Sequence, residues 1–300
     1  MSSPSADRSA QVVAVVGATG RQGSAVVRHL LREGWAVRAL TRNPASETAR
    51  SLQAGGASLV TVDAEDVGTL LTAFDGAYGV FNVQNPMTVG IDGELRQGAN
   101  VATAAARCGV QHVVYGAAGI GPGRTGVGSW DSKNTVAEHF RRQGVPLTVL
   151  RPMAFMELMT DRAYYPAVSV WHVMPRLMGG DRPVGWLCTD DLGAVAARVF
   201  AAPRRWVDTD LTLVADVRTI DECRALWAEL HGRARRSFPM PVWLFERFVG
   251  TDLTTMWRWL RTAQFEMSTA TTREILPEAR TVREWLAALD GDARAEDIRG

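Results

Sequence analysis

The residues best placed to do chemistry stand near the start of the chain, in Gly17-Ala18-Thr19-Gly20-Arg21-Gln22-Gly23. They follow an apolar run, QVVAVVG (11–17), and open an amphipathic one. A strand that turns tightly into a helix offers backbone N–H groups and the positive end of the helix dipole to an anion. The first glycine permits the turn, the next lets a diphosphate approach the backbone, and the third lets the helix pack on the strand. Gly17, Thr19, Gly20, Arg21, Gln22 and Gly23 are therefore expected to cradle the diphosphate of a nicotinamide dinucleotide.

Which dinucleotide depends on the end of the second strand. An acid there would bond the adenosine ribose hydroxyls and repel a 2′-phosphate. This chain has Thr41-Arg42-Asn43 and no acid before Glu47. Arg42 suits a phosphate through charge-assisted bonds, which favours NADP(H) over NAD(H). Asp63, after the third strand, could accept from the adenine amino group or cap the next helix. Asn82, Val83 and Gln84, after the fourth, should run beside the cofactor.

The elements that must hold these residues are legible as alternation. Short β-branched runs recur at 11–17, 35–41, 57–63, 77–83, 111–117 and 146–152. Apolar on both faces, they suit parallel strands covered on both sides. Helical stretches lie between them at 24–34, 46–56, 93–109 and 133–144, several ended by glycine. The pattern predicts an α/β, doubly wound parallel sheet of Rossmann type. Residues 1–10 read as a disordered tail and 11–155 as the dinucleotide domain, with 189–215 returning to it. Residues 156–300 read as a smaller, mostly helical lobe, in which Trp243, Trp257, Trp259 and Trp285 recur.

Composition narrows the function classes. A formal net charge of +1 gives no global field for nucleic acid or acidic membranes. No apolar run reaches membrane-spanning length. The three cysteines, Cys108, Cys188 and Cys223, are scattered and outside metal spacing, as suits a reducing cytoplasm. His29, His112, His139 and His231 form no metal pattern. A small apolar substrate is the expected ligand besides the cofactor, and a homodimer or protein partner stays open. Lys133 is the single lysine among 33 lysines and arginines. An ammonium fits between two ribose hydroxyls where a planar guanidinium does not.

Several stretches resemble the NmrA-like family of atypical short-chain reductases: VVGATGRQGSAVVRHLLREG, VRALTRNP, HVVYGAAG, WDSKNTVAEHFRRQGVPLTVLRPMAFME and TDDLGAVA. The resemblance covers residues 12 to about 200. It implies an NADP-binding core with Gly17, Gly20, Gln22, Gly23, Arg42 and Lys133 at cofactor-contacting positions. Lys133 would start the helix after strand five, hold the nicotinamide ribose and act as the catalytic lysine. Ala117 would lie at the cofactor side of strand five, and Pro152 and Phe155 near the nicotinamide. The chain departs from the reductase pattern at Ser129, which stands four residues before Lys133 in place of the tyrosine acid. Tyr115-Gly116-Ala117-Ala118 likewise lacks the hydroxyl donor. Two functions stay open: hydride transfer to a quinone, enone or iminium acceptor, or a non-catalytic NADP(H) sensor. For an enzyme, Met153, Phe155, Met156, Trp171 and Trp186 are candidates to line the pocket, with plain core packing the competing reading of the aromatics; Tyr164, Tyr165 and His172 are candidate replacement acids against structural roles.

Overall fold

A computed structural model describes residues 8–119, 121, 123–161, 169–234 and 240–297. The Val-rich runs form β1 (Val12–Val15), β2 (Ala36–Thr41), β3 (Ser58–Thr61), β4 (Gly79–Asn82), β5 (His112–Gly116) and β6 (Leu147–Pro152). Between them run α1 (Arg21–Arg32), α2 (Glu47–Ala54), α3 (Val67–Phe74), α4 (Pro86–Arg107) and α5 (Gly128–Arg142). Then follow β7 (Ala154–Phe155), α6 (Met174–Met178), β8 (Pro183–Leu187), α7 (Thr189–Ala201), α8 (Pro203–Trp206), β9 (Thr209–Leu213) and β10 (Asp216–Thr219). The chain ends with α9 (Ile220–His231), α10 (Val242–Val249), α11 (Asp252–Thr262), α12 (Ala270–Ile275) and α13 (Val282–Asp297).

The main sheet has seven strands in the order β3-β2-β1-β4-β5-β6-β9. β1 through β6 pair in parallel, as the doubly wound reading requires. Strand order reverses between β1 and β4. In open α/β sheets the crevice at that switch point is where ligands bind.

Two differences from the sequence reading bear on the site. α3 was not expected: its VGTLLTAF is apolar with little polar face, so periodicity does not separate it from a strand. α4 starts before 93 and is broken at Gly90, whose φ of 74° lies outside the helical region, so the long segment is two helices meeting at a kink. After the kink α4 packs closely on α5. A Cβ at Gly98 would fall 2.5 Å from a Val136 methyl, so only glycine lets the two axes approach this far. The sheet face under α3, α4 and α5 carries a continuous core that includes Leu70, Phe74, Val101, Tyr115, Val136 and Phe140.

The chain divides into two units. One runs to Arg151 and takes back Thr189–Thr212; the other holds Pro152–Cys188 and the chain from Leu213 onward. Arg8–Ala10, expected within a disordered tail, form a 3-10 turn. Arg8 pins it by pairing with Glu33 at 3.0 Å and lying over the Trp35 ring. The second unit carries its own three-stranded sheet, β10-β8-β7, besides its helices. Among the described residues no helix is long and apolar enough to cross a membrane.

Candidate functional site

β1 hands over to the glycine turn through one more sheet-like bond, from the Val16 N–H to the Phe81 carbonyl at 2.9 Å. Gly17 then turns at φ +73°, and a Cβ there would lie 2.7 Å from the Val83 carbonyl. A side chain is thus excluded both by conformation and by space. The Gly20 N–H closes the turn on the Gly17 carbonyl at 3.0 Å, and the Ser24 N–H opens α1 on the Gly20 carbonyl at 2.8 Å. A Cβ on Gly23 would meet the Gly17 carbonyl at 2.2 Å, so the helix seats directly against the turn. Gly17 and Gly20 are exposed, with Thr19, Arg21 and Gln22 partly so, and the corner faces outward.

Capping separates this helix from the three that follow it, though α5 likewise starts without a side-chain cap. Side chains of Ser46, Asp66 and Asn85 accept N–H bonds at the starts of α2, α3 and α4. α1 begins at Gly20 with no side-chain cap. A helix start without its own acceptor is suited to an external anion. A second observation lies beside it. The Gln22 Oε1 is buried with no hydrogen-bond partner, and it sits 3.0 Å from where a Gly116 Cβ would be. Buried polar atoms normally have partners, so an orphan here fits a site shaped for a polar ligand.

At the end of β2, Arg42 is exposed and makes no side-chain ion pair or hydrogen bond with the described residues. The turn around it is held by its neighbours: Thr41 Oγ1 accepts from the Asn43 N–H, and Asn43 Oδ1 from the Ala45 N–H, both at 3.1 Å. Asp63 is also exposed, but its Oδ1 accepts the Glu65 N–H at 3.0 Å. Asp66, not Asp63, caps α3. That removes one of the two roles expected of Asp63.

The stretch after β4 divides its labour. Asn82 and Gln84 are buried and bond each other reciprocally, amide to amide, at 3.2 and 2.5 Å. Their side chains therefore fix the loop that is expected to run beside the cofactor. Val83 between them is half-buried, with its carbonyl against Gly17. Ala117 directly follows β5. Its side chain belongs to the core, and its N–H is spent on the Leu150 carbonyl at 2.9 Å.

Lys133 is not at the start of its helix. α5 begins at Gly128, more than a turn earlier. The side chain is buried and crosses to α4, where Nζ donates to Glu94 Oε1 at 2.6 Å and to the Gln84 carbonyl at 3.2 Å. Glu94 is fully buried, and its other oxygen accepts from the Ser132 hydroxyl at 2.5 Å. The Tyr115 phenol is buried without a partner. Burial, then the charge of Glu94, holds it well above the ordinary tyrosine range, so it stays neutral. Lys133 is thus the cation that balances Glu94. Sequence reasoning missed Glu94: between Asp92 and Arg96 it reads as one more charge on a solvated helix face. Ser129, in the tyrosine's place, is half-buried.

The remaining expected residues belong to the second unit. Phe155 lies in β7, paired with Leu187; Pro152 closes β6 and is buried. Met156 and Trp186 are fully buried, and Trp171 nearly so. The two indole N–H groups donate to the Met159 and Arg218 carbonyls, so these residues serve as core within their unit, the alternative open for the aromatics from the sequence. Met153 is half-buried and lies against Gly185. His172 is buried. Tyr164 and Tyr165 lie outside the described residues. Among the described residues, no group of His, Cys, Asp and Glu could hold a metal ion.

The chain is 30% identical over 262 residues to FrzB of Cladobotryum sp, named an NmrA-like family domain-containing oxidoreductase, covering 77% of each protein. Its fold matches that of NmrA, a negative transcriptional regulator solved in complex with NADP, with a TM-score of 0.75 at 21% identity. That match covers 95% of this chain and 97% of the other. A new type of NADPH-dependent quinone oxidoreductase from Escherichia coli matches with a TM-score of 0.67 at 20% identity, covering 92% and 99%. The model of the NmrA-like family matches residues 9–286, and the chain belongs to that family.

Proposed function

We propose that the chain binds NADP(H) at the β1–β4 switch point and passes hydride to a small apolar acceptor of the quinone, enone or iminium type. The observation that carries the reading is the uncapped corner from Gly17 to Gly23, open on its outer side. The N–H groups of the first turn of α1 would hold the diphosphate, and Arg42 the 2′-phosphate. Lys133 would give a ribose hydroxyl the N–H that Glu94 and Gln84 leave over. When bound, the nicotinamide ring supplies the hydride. With Ser129 four residues before Lys133, no phenol stands there to protonate a developing alkoxide. Acceptors whose incoming charge is delocalised or cancelled therefore suit the chain better than plain ketones. The names of FrzB and of the Escherichia coli quinone oxidoreductase support an oxidoreductase.

One observation favours a second reading. The Lys133 ammonium is bound to a buried carboxylate and a carbonyl, an arrangement that grips better than it donates protons. NmrA, which shares the fold, is named a regulator. On that reading the chain binds NADP(H) without turnover and signals to a protein partner. Purified chain mixed with NADPH and a panel of quinones separates the two. Loss of reduced-nicotinamide absorbance in proportion to the chain is the result expected of the reductase. Saturable NADPH binding with no oxidation across the panel would overturn it in favour of the regulator.

A further inference from the structure

We propose that Glu94 is the positioning residue of the nicotinamide half of the cofactor site, clamping the Lys133 ammonium from α4 while Ser132 fixes the carboxylate from α5. The inference rests on the reading that the glycine corner binds NADP(H).

Both carboxylate oxygens are committed to consecutive residues of α5: Oε1 to Lys133 at 2.6 Å and Oε2 to the Ser132 hydroxyl at 2.5 Å. Glu94 has no exposed surface, so it cannot swing to solvent to release the lysine. The second acceptor of Lys133 is equally fixed, because the Gln84 loop is locked by the Asn82–Gln84 amide pair. Stability is a poor reason for such a cluster, since a buried ion pair is often no better than apolar residues of similar volume. Orientation is a better one. A lysine free on its four-carbon stem loses rotamer freedom when it meets a ligand, whereas one clamped on folding has already lost it. The clamp fills two of the three ammonium donors and so fixes the direction of the third.

The test compares two probes. NADPH carries the nicotinamide ribose; adenosine 2′,5′-bisphosphate carries the adenosine and 2′-phosphate but lacks it. Calorimetric titration of Glu94→Gln should show NADPH binding weakened by about tenfold, as for a disturbed charged hydrogen bond, with the bisphosphate within about twofold of wild type. Equal weakening of both probes would show that Glu94 only supports the fold, and wild-type affinity for both would show that it does nothing here; either overturns the proposal. Should Glu94→Gln fail to fold, Ser132→Ala keeps the charge and removes one anchor. It should lose NADPH affinity by about threefold and leave the bisphosphate alone, and no selective loss would again overturn the proposal. A wild-type chain that binds neither probe sinks the cofactor reading and this inference together. A wild type that binds NADPH, with Glu94→Gln indistinguishable from it, sinks this inference only.

Discussion

Lys133 was visible in the sequence because the chain uses arginine at every other basic position, yet what holds it was not. A carboxylate four residues from Gly98 on one helix and a lysine three residues from Val136 on another meet only after the helices pack. The pair also changes how the lysine can be tested. Lys133→Met leaves Glu94 buried and unbalanced, which should lower unfolding free energy by about 3–5 kcal/mol. Lys133→Met with Glu94→Gln removes both charges and should regain most of that in urea unfolding. NADPH binding should stay weak in both variants. If the double variant is no more stable than the single, the pair is not the isolated unit described. Arg42 was legible for a simpler reason, the absence of an acid at the strand end. Its exposed side chain has no competing partner among the described residues, so Arg42→Ala should cut the preference for NADPH over NADH by about tenfold or more. An unchanged ratio of affinities would assign the phosphate to another group.

At the scale of elements, all six parallel strands were readable from β-branched runs. Their parallel, doubly wound arrangement was implied by the short connections, while the order itself comes from the structure. What escaped had physical reasons. α3 lacks a polar face, and the kink at Gly90 hides the start of α4. β7 is two residues long and pairs with β8 far along the chain, a contact no local pattern encodes. The approach of α4 to α5 sets the geometry of the Lys133 cluster, since Glu94 and Gly98 share one face of α4, and Lys133 and Val136 one face of α5. Gly98→Ala forces a methyl to 2.5 Å from Val136, a neighbour whose branched side chain cannot turn aside. Denaturant unfolding should show a loss of about 1–3 kcal/mol, largely regained when Val136→Ala is added. No regain would mean that the contact is not the cause.

The whole molecule carries a pH dependence that the sequence did not announce. His112 is buried in β5, where its Nε2 meets the Thr148 hydroxyl at 2.8 Å. That hydroxyl gives its own proton to the Trp206 carbonyl, so Nε2 is the donor and Nδ1 is left buried without a partner. Burial lowers the imidazole from 6.5 to about 4, against a smaller opposing effect of Asp208. Between those values the unfolded chain takes up a proton that the folded chain refuses. Stability should therefore fall as pH drops through that window, by up to about 3 kcal/mol, and change no further from this group below it. Unfolding of His112→Leu should show a flatter profile; an identical slope would place the dependence elsewhere. The central claim is more direct: the N-terminus of α1 grips a dinucleotide diphosphate. Calorimetric titration with NADPH should show saturable binding of one equivalent per chain. Gly20→Val should abolish it while leaving the fold intact, because Gly20 is exposed at an ordinary φ of −79° and a Cβ there meets only the Gly17 carbonyl, at 3.3 Å. A wild-type chain that binds no NADPH, or a Gly20→Val chain that binds it as well as wild type, would contradict the account.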